Sequence, residues 1–85
     1  MKRELLEDMG YEGAIIFENP DYDEAIVGVD TDGRVVYDFD IMVECLMRED
    51  KISREDAMEF VEYNTIRSLG YVGEGAPIVM YRVEV

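Results

Sequence analysis

Two runs of β-branched residues joined by a glycine-containing turn constrain the fold of this chain more than any other feature. The runs cover residues 25–29 and 34–37, and the turn between them is Asp30-Thr31-Asp32-Gly33. β-branched residues favour an extended backbone, and a short turn rich in aspartate and glycine reverses the direction of the chain. The pattern therefore predicts an antiparallel β-hairpin near the middle of the sequence.

A first amphipathic helix is predicted directly after the hairpin. Apolar residues recur at three- and four-residue spacing from Phe39 to about Glu49. Aspartate is a favourable N-cap residue because its carboxylate accepts a hydrogen bond from a backbone N–H of the first turn. Both Asp38 and Asp40 fit that role.

A second long helix is predicted from Arg54 to Leu69, with Ser53 as its N-cap and Gly70 as its C′ glycine. An α-helical spacing places Asn64 on the apolar face of this helix, where a buried amide must find hydrogen-bond partners. Asn64 can bond the backbone of a neighbouring strand or of the 70–77 loop, which is a structural role.

The alternative interpretation of the same segment is a recognition patch. It consists of Tyr63, Asn64 and Arg67, and Arg67 can also pair with Glu62 or Glu74. Tyrosine and arginine are the residue types that contribute most to protein–protein binding energy. The sequence leaves both interpretations open.

The remaining elements complete an α+β pattern. A short helix over 2–9 ends at Gly10, a strand covers 13–17, a loop follows over 18–24, and a last strand runs over 78–85. The order predicts one domain, residues 1–85, with a small four-stranded antiparallel or mixed sheet, a helix pair packed on one face and a short N-terminal helix.

The charge of the chain restricts its partners. Asp and Glu number 21 against 8 Lys and Arg, which gives a net charge of −13. Direct binding to nucleic acid or to an anionic membrane is disfavoured, whereas a basic protein surface would be attracted. Solubility alone also explains such an excess of acid.

Acidic residues concentrate in the predicted 18–24 loop and at the start of the first long helix. We expect the loop to be exposed. Ordinary solvation explains this acidic set, and the functional alternative is that it imitates the charges of a phosphate backbone. The tyrosines Tyr11, Tyr22 and Tyr37 are predicted to add exposed interface area. The acidic candidates for partner binding are Glu18, Asp21, Asp23, Glu24, Asp38 and Asp40.

Catalytic and metal chemistry find little support in the sequence. The chain lacks histidine, and Cys45 lies within an amphipathic helix with no imidazole base and no second cysteine. The Asp30 loop has its glycine at position four and Ile41 at position twelve, which is wrong for an EF-hand. We therefore expect no enzyme activity, no metal and no cofactor.

The single cysteine and the acidic N-terminal region predict a reducing, cytoplasmic location without a signal peptide or a membrane span.

The segments 30–38, 62–67 and 76–79 resemble uncharacterised small acidic proteins of bacteria and of their phages and mobile elements. The resemblance implies an accessory role, and inhibitors of host nucleic-acid-binding machinery such as anti-CRISPR proteins are an analogy. The first hypothesis is an acidic inhibitor that docks on a basic site of a nucleic-acid-processing host protein. The alternative is a self-associating domain, a homodimer for example, that pairs through its open sheet face or its last strand.

Overall fold

A computed structural model describes residues 2–11, 13–18 and 20–83, and the fold is α+β. The described sheet has the strand order β1-β2-β3, with β1 antiparallel and β3 parallel to the central β2. The helices are α1 (Lys2–Asp8), α2 (Phe39–Asp50), α3 (Arg54–Phe60) and α4 (Arg67–Val72), and the strands are β1 (Ile26–Val29), β2 (Val35–Asp38) and β3 (Ile78–Met80).

The predicted hairpin is confirmed as β1 and β2. The Oδ1 atom of Asp30 accepts hydrogen bonds from the backbone N–H groups of Asp32 and Arg34, both at 2.9 Å. Gly33 has a φ of 82°, a conformation that favours glycine. The aspartate and glycine of this loop are thus explained by the geometry of the turn.

The strand predicted over 13–17 is wrong, and the described sheet has three strands instead of four. This segment is held by contacts with the core and not by the hydrogen bonds of a β-ladder. The N–H of Phe17 donates to the Tyr37 hydroxyl at 3.0 Å, and the Phe17 ring lies 4.8 Å from that of Tyr37 and 5.7 Å from that of Tyr22. A short apolar run does not distinguish such a core-filling loop from a strand. Asn19, in the predicted loop that follows, lies outside the described residues.

The last strand is shorter than the predicted range 78–85. It ends at Met80, which pairs with Asp38, the last residue of β2. Because α2 begins at the next residue, the chain beyond Met80 has no further β2 residue to pair with. The side chains of Tyr81 and Arg82 instead contact the start of α2, and Glu84 and Val85 lie outside the described residues.

A single core cluster joins the sheet to the helices. Val35 and Tyr37 of β2 are buried in it, together with Ala57 of α3 and Val61, the residue that follows α3. The side chains that α2 contributes are Phe39, Met42, Val43, Cys45 and Leu46. Asp38 is the N-cap of α2, since its Oδ1 accepts from the N–H of Ile41 at 3.2 Å.

The second helical path begins as predicted and ends later. The Ser53 hydroxyl accepts from the N–H of Asp56 at 3.1 Å, which confirms the N-cap. The path then passes through a π-helical segment, Val61–Ile66, and continues as α4. The prediction that Gly70 ends the helix is wrong, because Gly70 lies within α4 and the end is at Gly73, with a φ of 84°.

Candidate functional site

The structure places Asn64 on the exposed side of the helical path, and the prediction that its amide is buried is wrong. The π-helical segment explains the difference. In a regular α-helix, Thr65 would lie about 80° around the axis from Ala57. The wider π turn offsets this displacement. As a result, Ala57, Val61 and Thr65, which are four residues apart, all face the core.

Thr65, and not Asn64, makes a buried side-chain hydrogen bond in this segment. Its Oγ1 lies 3.0 Å from the hydroxyl of Tyr22, which is fully buried. Burial raises the pKa of the Tyr22 phenol, so its hydroxyl stays protonated across the physiological range. This hydrogen bond connects the π-helical segment to the 20–24 loop and fixes which residues of the helix face outwards.

Replacing Thr65 with valine is expected to lower the free energy of unfolding by about 2 kcal/mol, because it leaves the buried Tyr22 hydroxyl without this partner. Asn64→Ala is the matched control at the adjacent exposed position, with an expected change within about 0.5 kcal/mol. Urea unfolding followed by circular dichroism measures both values. The double variant Thr65→Val with Tyr22→Phe should regain most of the loss, and a loss equal to that of Thr65→Val alone would contradict the role of the bond.

Tyr63 and Arg67 form an exposed pair beside Asn64. The guanidinium carbon of Arg67 lies 5.6 Å from the centroid of the Tyr63 ring, and the Tyr63 side chain is 58% exposed. A cation over an aromatic face is a weak attraction that orders both side chains. With Asn64 at the surface, all three residues of the predicted recognition patch are accessible to a partner.

A groove of about 700 Å³ lies between residues 20–24 and the C-terminal half of α2. Among the side chains that the structure describes, five acidic residues and one arginine, Arg48, line this groove. Pro20 and Phe60 supply apolar surface. The acidic lining residues are Asp21, Asp23, Glu24, Glu49 and Asp50.

The structure divides the predicted acidic set. Asp21 and Glu24 are exposed and line the groove, whereas Asp23 lines it but is buried, so the expectation of a wholly exposed loop is wrong. Asp38 is 1% exposed and lies with Asp40 in a separate depression of about 260 Å³. Glu18 is exposed. Tyr22 and Tyr37 are buried in the core and Tyr11 is half-buried, so the expected exposed tyrosine surface is also wrong.

Glu49 and Asp50 are groove residues that the sequence reasoning missed. They lie in the last turn of α2, where the carbonyl end of the helix makes a negative charge unfavourable. Acidic residues at that position cost stability, and local conflicts of this kind are often found at functional sites. The run Glu49-Asp50 at the end of a predicted helix is therefore a sequence feature that identifies these two residues as candidates.

The arginines from position 34 onwards are all engaged within the molecule. The two guanidinium groups with exposed carboxylate partners belong to Arg48, 2.9 Å from Glu24, and Arg54, 3.0 Å from Asp40. The other three contacts are Arg82 to Asp38 at 2.7 Å, Arg34 to the carbonyl oxygen of Ala76 at 2.7 Å, and Arg67 to the ring of Tyr63.

Cys45 lies below the groove and is 4% exposed. Burial raises the pKa of its thiol, and the neighbouring Glu24 carboxylate raises it further. The thiolate, which is the nucleophilic form of cysteine, is thus disfavoured.

Within residues 2–11, 13–18 and 20–83, no three Cys, Asp or Glu side chains are grouped so that they could hold a metal ion. None of the helices in that part of the chain combines the length and the apolar character needed to cross a bilayer.

Comparisons with protein-family models, with curated proteins and with solved structures give no match to this chain.

Proposed function

We propose that this chain is an acidic protein-binding module that docks on a basic site of a nucleic-acid-processing protein. The observation that carries the proposal is the groove, where five acidic residues and one arginine surround an apolar lining. A concave surface with one dominant sign of charge focuses the electrostatic field and attracts groups of the opposite sign. A site that binds nucleic acid has the basic surface that this groove requires.

The overall charge supports the same assignment. With a net charge of −13, the molecule attracts a basic surface over roughly 8 Å at physiological ionic strength. This attraction speeds up encounter but selects weakly among basic partners. Specificity then has to come from shorter-range contacts.

We assign that specificity to Tyr63, Asn64 and Arg67. Phe60 lines the groove, and Asn64 follows it by four residues, which brings the patch close to the groove on the helix surface. Exposed tyrosine and arginine side chains provide large contact areas at interfaces. π-Helical segments are also frequent at functional sites.

The resemblance to small acidic proteins of phages and mobile elements favours an inhibitory form of this function. A module that covers the basic site of a nucleic-acid-binding protein competes with its nucleic acid for the same positive charges. Inhibition then needs no catalytic residue and no cofactor.

Affinity capture at two salt concentrations tests the proposal. We expect the tagged chain to retain basic nucleic-acid-binding proteins from a lysate of its source cells at about 50 mM NaCl and to lose at least nine-tenths of them at about 500 mM. Added double-stranded DNA should release the same proteins at low salt. Captured proteins that are acidic, or whose retention is indifferent to both salt and DNA, would contradict the proposal.

Self-association is a second candidate, and the end of β3 favours it. This strand lies at the edge of the described sheet. Two apolar residues shortly after its end, Tyr81 and Val83, are 64% and 89% exposed. Unpaired strand edges can pair with a second chain. Repulsion between two copies of net charge −13 opposes this pairing, and light scattering over a range of concentrations distinguishes a monomer from a dimer.

A further inference from the structure

The last helix, α4, exposes apolar surface that the single chain does not cover. None of the six residues of α4 is buried, although Leu69, Tyr71 and Val72 are apolar. Tyr71 is 93% exposed and Val72 is 40% exposed. Helices in proteins are stabilised mainly by the packing of an apolar face. A contact on the outer side of α4 would provide such packing.

Gly70 in the middle of α4 has no structural explanation within the single chain. It has no positive φ. Among the described residues, no heavy atom lies within 4 Å of the position that a Cβ atom would take, apart from the chain neighbours of Gly70 and the backbone of its own helix. Alanine would therefore fit and would favour the helix. A glycine at this position instead allows another chain to approach the helix backbone closely.

The sequence around α4 is free of acidic residues, although Asp and Glu number 21 in the chain. Residues 63–73 contain neither, and no other stretch of the same length in this chain is free of them. Helical spacing places Arg67, Gly70 and Tyr71 on one side of α4, and all three are exposed. This side, the α4 face, is thus a surface where two highly acidic molecules can meet without opposing carboxylates.

We propose that the α4 face is a contact between two copies of this chain, in which the two helices cross in antiparallel orientation at Gly70. In a two-fold symmetric contact the same surface is used by both copies, so the surface has to be complementary to itself. The inference goes beyond the proposed function, since it depends neither on the groove nor on a basic partner. It also names a surface other than the end of β3.

The order of residues on the α4 face meets the requirement of self-complementarity. Arg67 precedes Gly70 and Tyr71 follows it, so an antiparallel crossing brings Arg67 of one copy towards the Tyr71 ring of the other. A guanidinium over an aromatic ring is attracted to it. Arg67 already makes this kind of contact with Tyr63 of its own chain, at 5.6 Å from the ring centroid. The ring of Tyr71 would add a second aromatic contact for the same guanidinium.

The contact is small, and we expect a weak dimer. Stable interfaces bury about 1,200 to 2,000 Å², more than one short helix from each copy provides, so the expected Kd is on the order of 100 µM. Salt screens the repulsion between two copies of net charge −13. Sedimentation equilibrium should therefore give a Kd about fivefold lower at about 500 mM NaCl than at about 50 mM. Binding to a basic partner has the opposite dependence on salt.

A matched pair of variants locates the contact. Tyr71→Ser and Val83→Ser each remove an apolar side chain at a highly exposed position, 93% and 89% exposed in the wild-type chain, but Val83 lies beyond β3. We expect Tyr71→Ser to raise the dimer Kd at least about tenfold and Val83→Ser to change it less than about twofold. Thermal melts verify that both variants are folded.

Gly70→Ala separates the contact from the stability of the single chain. At about 10 µM, where the chain is monomeric, we expect the Tm to rise by about 4 °C because alanine is the better helix former. The dimer Kd should rise at least about threefold, because one added methyl group on each copy keeps the helices apart. A purely structural role of Gly70 does not produce these two opposite effects.

Three results would each overturn the inference. They are a wild-type chain that stays monomeric at about 1 mM in about 500 mM NaCl, a Val83→Ser variant that weakens the dimer as much as Tyr71→Ser does, and a Gly70→Ala variant with an unchanged Kd. The proposed function stands in all three cases, because its own test is the capture of basic proteins at low salt.

Discussion

We expect replacement of Asp38 by alanine to lower the free energy of unfolding by about 3 kcal/mol, because one buried carboxylate fulfils two structural roles. One oxygen caps α2 at the N–H of Ile41, and the other lies 2.7 Å from the guanidinium of Arg82. Loss of an N-cap costs about 1 kcal/mol, and loss of a hydrogen bond to a charged group costs about 2 kcal/mol. Urea unfolding monitored by circular dichroism measures the change.

Asp40→Ala is the control, two residues further along the chain. Asp40 also pairs with an arginine, Arg54, at 3.0 Å, but both side chains are about half exposed to solvent. Exposed ion pairs contribute about 0 to 1 kcal/mol, so the expected loss is below about 1 kcal/mol. Equal losses for the two variants would show that neither the cap nor the burial of Asp38 has the stabilising role assigned to it.

Neutralising the exposed groove carboxylates is expected to have the largest effect on binding. The variant combines Asp21→Asn, Glu24→Gln, Glu49→Gln and Asp50→Asn, which keep the shapes of the side chains while removing their charges. The Asp21→Asn change leaves a side-chain oxygen that can still accept the hydrogen bond from the N–H of Asp23, which is 2.8 Å long in the wild-type chain. If each of the four charges contributes about 0.7 kcal/mol to the contact with a basic partner, their loss weakens binding to that partner about 100-fold.

Local sequence patterns predicted the elements in which hydrogen-bond donors and acceptors find their partners within a short stretch of chain. The hairpin turn depends on Asp30 and Gly33, and the helix starts depend on Asp38 and Ser53, all of which bond to backbone atoms within four residues. The residues that stabilise these turns and caps can therefore be recognised from the local sequence.

The features that could not be predicted depend on contacts between distant residues. Thr65 bonds to Tyr22, 43 positions away, and the π-helical segment that turns Thr65 towards the core leaves Asn64 at the surface. The 13–17 segment similarly depends on the Tyr37 hydroxyl, 20 positions from Phe17. Helical periodicity and strand propensity contain no information on such pairs.

The candidate site was predicted in part for the same reason. Asp21 and Glu24 were identified as acidic candidates, but the groove exists only because α2 brings Glu49 and Asp50 alongside them. Since no pattern relates residue 21 to residue 50, composition could indicate a basic partner without locating the surface that would bind it.

Capture with three baits at about 50 mM NaCl tests the central claim most directly. The baits are the wild-type chain, the four-residue groove variant and a control variant of the same net charge. The control changes four exposed residues that do not line the groove, by Asp32→Asn, Glu44→Gln, Glu55→Gln and Glu59→Gln. Both variants lose four of the negative charges that make up the net −13. We predict that the wild-type and control baits retain the same basic nucleic-acid-binding proteins and that the groove variant loses them. Equal retention by the two variants would show that the groove is not the binding site.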